Sequence, residues 1–275
     1  MVKDMGLEVL NEVYTPSVFG RGRFLGEIFI QKVLYDKKTY FLIFVSLLPL
    51  LPALNLETAT ISTYLDLISM SANTNIFNFA VLPLISLILG ISAISDEKEN
   101  KTISQLLSRP VRREEIVVVK WLTVVILAVV IVSLDALIIL LGLSFIVQDF
   151  SLLFDNLNVL FGVWLFLGLW VVVYSTIYLF LGIILDKNAL GWGLAIAYFE
   201  AFFGQFIFGI AAAGGATPFS IANHLNYVAA EFLLPDYLDF QILDFDPLNS
   251  LLICIGLIIG FLLLSMLTMR RKDFP

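Results

Sequence analysis

Residues 96–121 read DEKENKTISQLLSRPVRREEIVVVKW, the longest strongly charged interval between two segments apolar enough to span a membrane. Such a stretch must face water, and the rest of the chain is organised on either side of it. Thr102 and Gln105 stand at the T-x-x-Q spacing of a capping box, so a short helix is expected to start near Ile103. Asp96, Glu97 and Glu99 would then lie near its positive end, and Pro110 would stop it. Ile103, Leu106 and Leu107 fall at i, i+3 and i+4 and share one face, opposite Ser104 and Ser108. Isolated helices below about 12 residues are marginal in water, so this one is expected to depend on packing its apolar face against something else.

The composition sets the class. The chain has 275 residues, 60% of them hydrophobic and 14% charged, with a mean hydropathy of +0.96. Soluble domains are about 45–50% apolar, so an all-α polytopic membrane protein is expected. The net charge of −7 argues against a nucleic-acid partner, which would call for a basic stripe. Cys254 is the one cysteine and His224 the one histidine, which excludes an internal disulfide and a Cys/His metal cluster. The first residues, MVKDMGLEVLNEVYTP, carry no apolar core of signal-peptide type, so the first span is expected to remain as its own anchor.

Outward from the charged stretch, six spans are expected within residues 37–275, each drawing on about 20 apolar residues. The second runs from Ile76 to Ile94 and holds Pro83 and Gly90; the first runs from Tyr40 to Leu54 with Pro49 and Pro52 late in it. The third, Trp121 to Phe145, is broken only by Ser133 and Asp135. The fourth, Val159 to Leu185, ends at Asp186-Lys187-Asn188, a turn short enough to return the fifth, Leu190 to Ile210, as an antiparallel neighbour. The sixth is Leu248 to Met269. Residues 211–247 mix small, aromatic and acidic side chains; Ser220 to Leu233 is expected to be helical with Pro235 as its stop, in a partly re-entrant or surface-lying pair. In the N-terminal part, residues 1–36, Phe24, Leu25, Ile28, Phe29 and Val33 recur at helical spacing against Arg23, Glu27, Gln31 and Lys32. Such a helix either lies in the headgroup region or packs on the same protein.

The charges orient this arrangement. All 16 Lys and Arg residues fall before the first span, between Glu97 and Lys120, at Lys187, or after the last span. Cytoplasmic loops carry the basic excess, so both termini and the 96–120 segment are expected in the cytoplasm and 211–247 outside it, in a multi-pass protein of the cell membrane.

For chemistry there is little. The chain has no G-x-x-x-x-G-K-[ST] loop to cradle phosphates and neither G-x-S-x-G nor H-E-x-x-H, so it is not expected to be an enzyme. Asp135 and Glu200 lie within spans, where a charge against lipid costs about 2.5–3.5 kcal/mol or more, so each should face protein or a cavity. Glu200 sits among Tyr198, Phe199, Phe202 and Phe203, with Gln205 following. It reads equally as a packing acid and as a pathway residue, whereas Asp135 reads more readily as packing.

The charged stretch resembles the cytoplasmic signature of ABC export permeases of the second type, E-x-G-T, leucines, S-x-P-V-S-R, then a Lys opening the next span. The matching residues are Glu99, Thr102, Leu106, Leu107, Ser108, Pro110, Val111, Arg113 and Lys120. Lys101 departs where the family has Gly, and Arg112 where it often has Ser. The resemblance implies a coupling helix that docks on an ATPase subunit through Glu99, Thr102, Ile103, Leu106, Leu107, Ser108, Pro110 and Arg113, and an elbow helix before the first span. It implies two ABC ATPase subunits holding ATP and magnesium, a second permease subunit forming a homodimer, no cofactor on this chain itself, and a path lined by the second and fifth spans with Glu200, Phe203 and Gln205 as candidates. The LLSRPVRR form is similar to permeases grouped with multi-copper-enzyme maturation systems. Copper as cargo has little support, since Met70 is the one thioether in the outer segments. Two other readings stay open: a mechanical transmitter that passes ATPase motion to an extracytoplasmic partner, and a secondary transporter, for which inverted repeats and paired intramembrane charges are not evident.

Single cysteines at Asp155 and Asp239 are expected to react with an impermeant thiol reagent in intact cells, and ones at Ser104 and Lys272 to stay unlabelled. Labelling at Ser104 would reverse the orientation.

Overall fold

The computed structural model describes residues 26–27, 29–33, 35, 37–46, 60, 63–65, 82–99, 112–185, 188–202, 221–235 and 246–272. Among the described residues the regular structure is entirely helical. The elements are α1 (Lys37–Ser46), α2 (Leu82–Glu99), α3 (Arg113–Val147), α4 (Ser151–Phe154), α5 (Leu157–Ile184), α6 (Ala189–Phe202), α7 (Ile221–Val228) and α8 (Pro247–Arg271). Three of these, α3, α5 and α8, are long and apolar enough to cross a membrane. They match the expected third, fourth and sixth spans to within a few residues, apart from the start of α3. The expected first, second and fifth spans fall partly outside the described residues.

The charged stretch is helical at both ends. Helix α2 continues through Asp96, Glu97, Lys98 and Glu99, so these residues close the second apolar segment, and the short helix expected from Ile103 lies outside the described residues. Helix α3 starts at Arg113, eight positions before Trp121. At 1.5 Å per residue its 35 residues run about 50 Å, well beyond a hydrocarbon core of about 30 Å, so its polar first turns can lie outside the slab. Glu114 and Glu115 sit in that first turn, where they meet the positive end of the helix dipole.

Helix α5 is the centre of the bundle and packs against α2, α3 and α8. Its approach to α2 depends on small residues, which let helix backbones come close. A Cβ at Gly90 would stand 3.0 Å from the Tyr178 Cβ and 3.1 Å from the Ser175 carbonyl oxygen. A Cβ at Gly182 would stand 3.0 Å from the Ile91 carbonyl oxygen. Along α5 the rings of Phe166, Trp170, Tyr174 and Tyr178 recur every four residues, with Trp170 and Tyr174 stacked at 5.1 Å. All four are buried.

One end of the bundle closes through tight turns and short helices. Helix α3 finishes on Gln148 in the left-handed conformation, which returns the amides of Gln148 and Asp149 to the Phe145 and Ser144 carbonyls. Asp149 accepts from the Ser151 amide at 3.0 Å and hydroxyl at 2.7 Å, which holds its carboxyl below the usual range. Helix α7 runs into a π turn, Ala229–Leu233, before Pro235, so the expected helix from Ser220 to Leu233 is present from Ile221. The end of that turn rests on Gly162, where a Cβ would come within 2.8 Å of the Leu233 carbonyl oxygen. Buried His224 meets Ser250 at 3.0 Å and ties α7 to the start of α8.

The outward surface is apolar. Leu122, Ile126, Val130, Leu134 and Ile138 form an exposed stripe at four-residue intervals on α3, and Leu252, Ile255, Ile259, Leu263 and Leu267 form one at intervals of three or four on α8. Surfaces of this extent are unfavourable in water and suit lipid. Asp135 is only 1% exposed, on the inner side of α3 as its cost in lipid requires.

Replacing Gly90 by Val is expected to destabilise the bundle by about 1–3 kcal/mol, because the added carbons have only backbone and the Tyr178 stem to displace. Thermal unfolding in detergent measures it. Gly191→Ala, where nothing lies within 4 Å, is expected to leave the transition unchanged or slightly raised. Equal losses for both would refute the close α2–α5 approach as the cause.

Candidate functional site

The site is the end of the bundle from which the signature segment leaves α2 and re-enters at α3. Its chemistry starts from three adjacent residues. Asp96, Glu97 and Lys98 occupy successive positions on α2, about 100° apart around the axis, so they cannot share a face. Each meets a different part of the molecule.

Asp96 faces the N-terminal side: Lys38 donates to it at 3.3 Å and Lys32 stands at 3.9 Å. These two lysines flank a small cleft floored by Phe29, Val33, Ile88 and Leu89. Phe29 and Val33 are buried in the bundle core, so this part of the N-terminal helix packs on the protein itself.

Glu97 meets Lys120 at 2.5 Å. Lys120 is only 5% exposed, donates also to the Ala93 carbonyl, and stands 5.2 Å from the centre of the Phe29 ring. The ammonium is thus enclosed by a carboxylate, a main-chain oxygen and an aromatic face, which together offset the loss of water. Lys120 belongs to the stretch expected to face water, and its burial corrects that expectation. The compensation comes from residues more than twenty positions away.

Lys98 turns to α5. Its ammonium donates to the carbonyls of Gly182 at 2.8 Å, Ile183 at 2.6 Å and Leu185 at 3.1 Å. Lys272 reaches the same terminus, donating to Ile183 at 3.0 Å and Ile184 at 2.7 Å. The last carbonyls of a helix have no intrahelical donor and carry the negative end of its dipole, so two cations there satisfy both needs. Arg113 serves α8 in the same way, donating to the Lys272 carbonyl at 2.8 Å and to those of Met269 and Arg270 at 3.5 Å. The exposed Arg270–Glu114 pair at 3.8 Å contributes little.

Of the expected docking residues, Arg113 is described, and it caps α8. Glu99 is the last residue of α2. Thr102, Ile103, Leu106, Leu107, Ser108 and Pro110 lie outside the described residues, as do Phe203 and Gln205. Glu200 lies on α6, which packs against α2 with Gly193 beneath Leu87 and Ile91. Sequence reasoning missed the roles of Asp96, Glu97, Lys98, Lys120 and Lys272. The signal available was the excess of Lys at the ends of apolar segments, which marks a membrane boundary but names no partner. Among the described residues no group of His, Cys, Asp or Glu could hold a metal ion.

The family model described as ABC-2 family transporter protein matches residues 35–274, nearly the whole chain, and the chain belongs to that family. No curated protein matches it. The chain is accordingly a multi-pass membrane permease component of an ABC transporter, without an ATPase site of its own.

Proposed function

We propose that this ABC-2 family chain is the membrane-spanning subunit of an ATP-driven exporter, six spans per chain, working as a homodimer with two ABC ATPase subunits. The ATPases dock on residues 99–113, with Ile103, Leu106 and Leu107 as the apolar face of a short coupling helix. ATP and magnesium are held by those partners. The observation that carries this reading is the anchoring of both stems of the segment. Helix α2 is fastened through Asp96, Glu97 and Lys98, and α3 through Arg113 and Lys120, so a push on the segment between them is delivered to the bundle instead of being absorbed by a loose loop. The basic character of this end supports its placement in the cytoplasm. The opposite end, with α4 and α7, then faces outward.

Leu106→Asp is expected to abolish co-purification of the ATPase, or to cut its stimulation by tenfold or more, while membrane insertion is unchanged. A carboxylate on the docking face must be buried unpaired at a cost of several kcal/mol. An ATPase that stays bound and fully stimulated would rule out docking through this face.

Glu200 is assigned to the transport path, on a helix that packs against α2. Glu200→Gln is expected to change the pH profile of substrate-stimulated ATPase activity with assembly intact, since the amide keeps the shape and loses the titratable charge. An unchanged profile would remove Glu200 from the path.

A further inference from the structure

The docking reading leaves open how movement of residues 100–111 reaches the rest of the bundle. We infer that Asp96, Glu97 and Lys98 form a three-way junction that ties the coupling segment to α1 with the N-terminal helix, to α3 and to α5 at once, with the Glu97–Lys120 pair as its central positioning element. This rests on the docking reading and names the residues through which it acts.

Three observations carry it. The triplet is the last described turn of α2 before the segment, so any displacement of the segment reaches these residues first. Its three side chains diverge around the helix in three directions: Asp96 to Lys38 of α1 and Lys32 of the N-terminal helix, Glu97 to Lys120 of α3, and Lys98 to the carbonyls of Gly182, Ile183 and Leu185 that end α5. All three links are charge-assisted, and those of Glu97 and Lys98 are short, at 2.5–3.1 Å, so a shift of α2 by an ångström or two must either move those partners or break the links.

Stability alone is a weak account of the central pair. Replacing a buried ion pair by apolar groups of similar volume is often neutral or stabilising, whereas removing one partner strands a charge. An enclosed ammonium beside Phe29 and Ala93 is therefore an expensive way to hold two helices together, and what it adds is direction and register. It holds the end of α2 at one position along α3, two helical turns from where the segment re-enters.

The same energetics supplies the test. The full complex, reconstituted in nanodiscs with its ATPase, is compared as wild type, Glu97→Gln, Lys120→Met, the double variant and Lys120→Arg. The readouts are unfolding temperature, ATPase retained, and turnover stimulated by the membrane subunit. Each of the first two variants strands one group and is expected to lower the unfolding temperature. The double variant removes both charges and is expected to recover most of that loss and to keep the ATPase bound, yet to remain at least fivefold below wild type in stimulated turnover. Lys120→Arg keeps the charge and donors and is expected to stay within about threefold.

Turnover that returns together with stability in the double variant would reduce the pair to packing and overturn the inference. If the double variant does not fold, Asp96→Asn decides instead, because its two lysines are well exposed and the isosteric amide is expected to leave the fold intact. Stimulated turnover is then expected to fall at least threefold with the ATPase still bound, and unchanged turnover overturns the junction. A wild-type subunit that neither binds nor stimulates an ATPase sinks the docking reading itself, and that is seen before any variant is compared.

Discussion

An ammonium group enclosed within a helix bundle sets the terms for everything around it. The Lys120 cation has left water, and its cost is met by the Glu97 carboxylate, the Ala93 carbonyl and the face of Phe29. These come from α2 and from the N-terminal helix, so satisfying one charge on α3 brings three parts of the chain together. The position of α2 along α3 is fixed by that requirement, because a slip of one turn would part the Glu97 carboxylate from the Lys120 ammonium.

The remaining joints at this end follow the same economy with different groups. The last turns of α5 and α8 expose carbonyls, and the cations that satisfy them come from other elements: Lys98 and Lys272 on α5, Arg113 on α8. Each cap thereby becomes a tether between helices. Farther along the bundle, where little charge is present, cohesion passes to shape. Gly90 and Gly182 let α2 and α5 meet backbone to backbone, and Gly162 receives the π turn that follows α7. The bundle is held by charge at one end and by close packing along its length, with apolar stripes of α3 and α8 left facing outward for lipid.

This division suits a subunit of an ABC transporter that holds no nucleotide. In the proposed docking, work done elsewhere would enter through a small area and be shared among several helices. The end of α2 provides such an area, since Asp96, Glu97 and Lys98 are adjacent in the chain and divergent in space. Packing of the N-terminal helix through Phe29 and Val33 brings that element within reach of the same point.

Several features were legible in the residues alone. The spans of α3, α5 and α8 could be read from runs of apolar side chains, because the length of a membrane crossing is a one-dimensional property. The helix ending before Pro235 was likewise a local matter. The left-handed conformation of Asn188 is one that its short polar side chain tolerates. Other features were decided by the fold. That α2 continues through Asp96 and Glu97 to Glu99 could not be read from charges that mark only a membrane boundary. Lys120 resembles any boundary lysine until Glu97, 23 positions earlier, is placed against it. Lys98 and the carbonyls it caps lie more than 80 positions apart. Hydropathy and spacing carry no information about such distances. Which cation meets which carboxylate or helix end depends on how the helices pack, and that is a property of the assembled bundle.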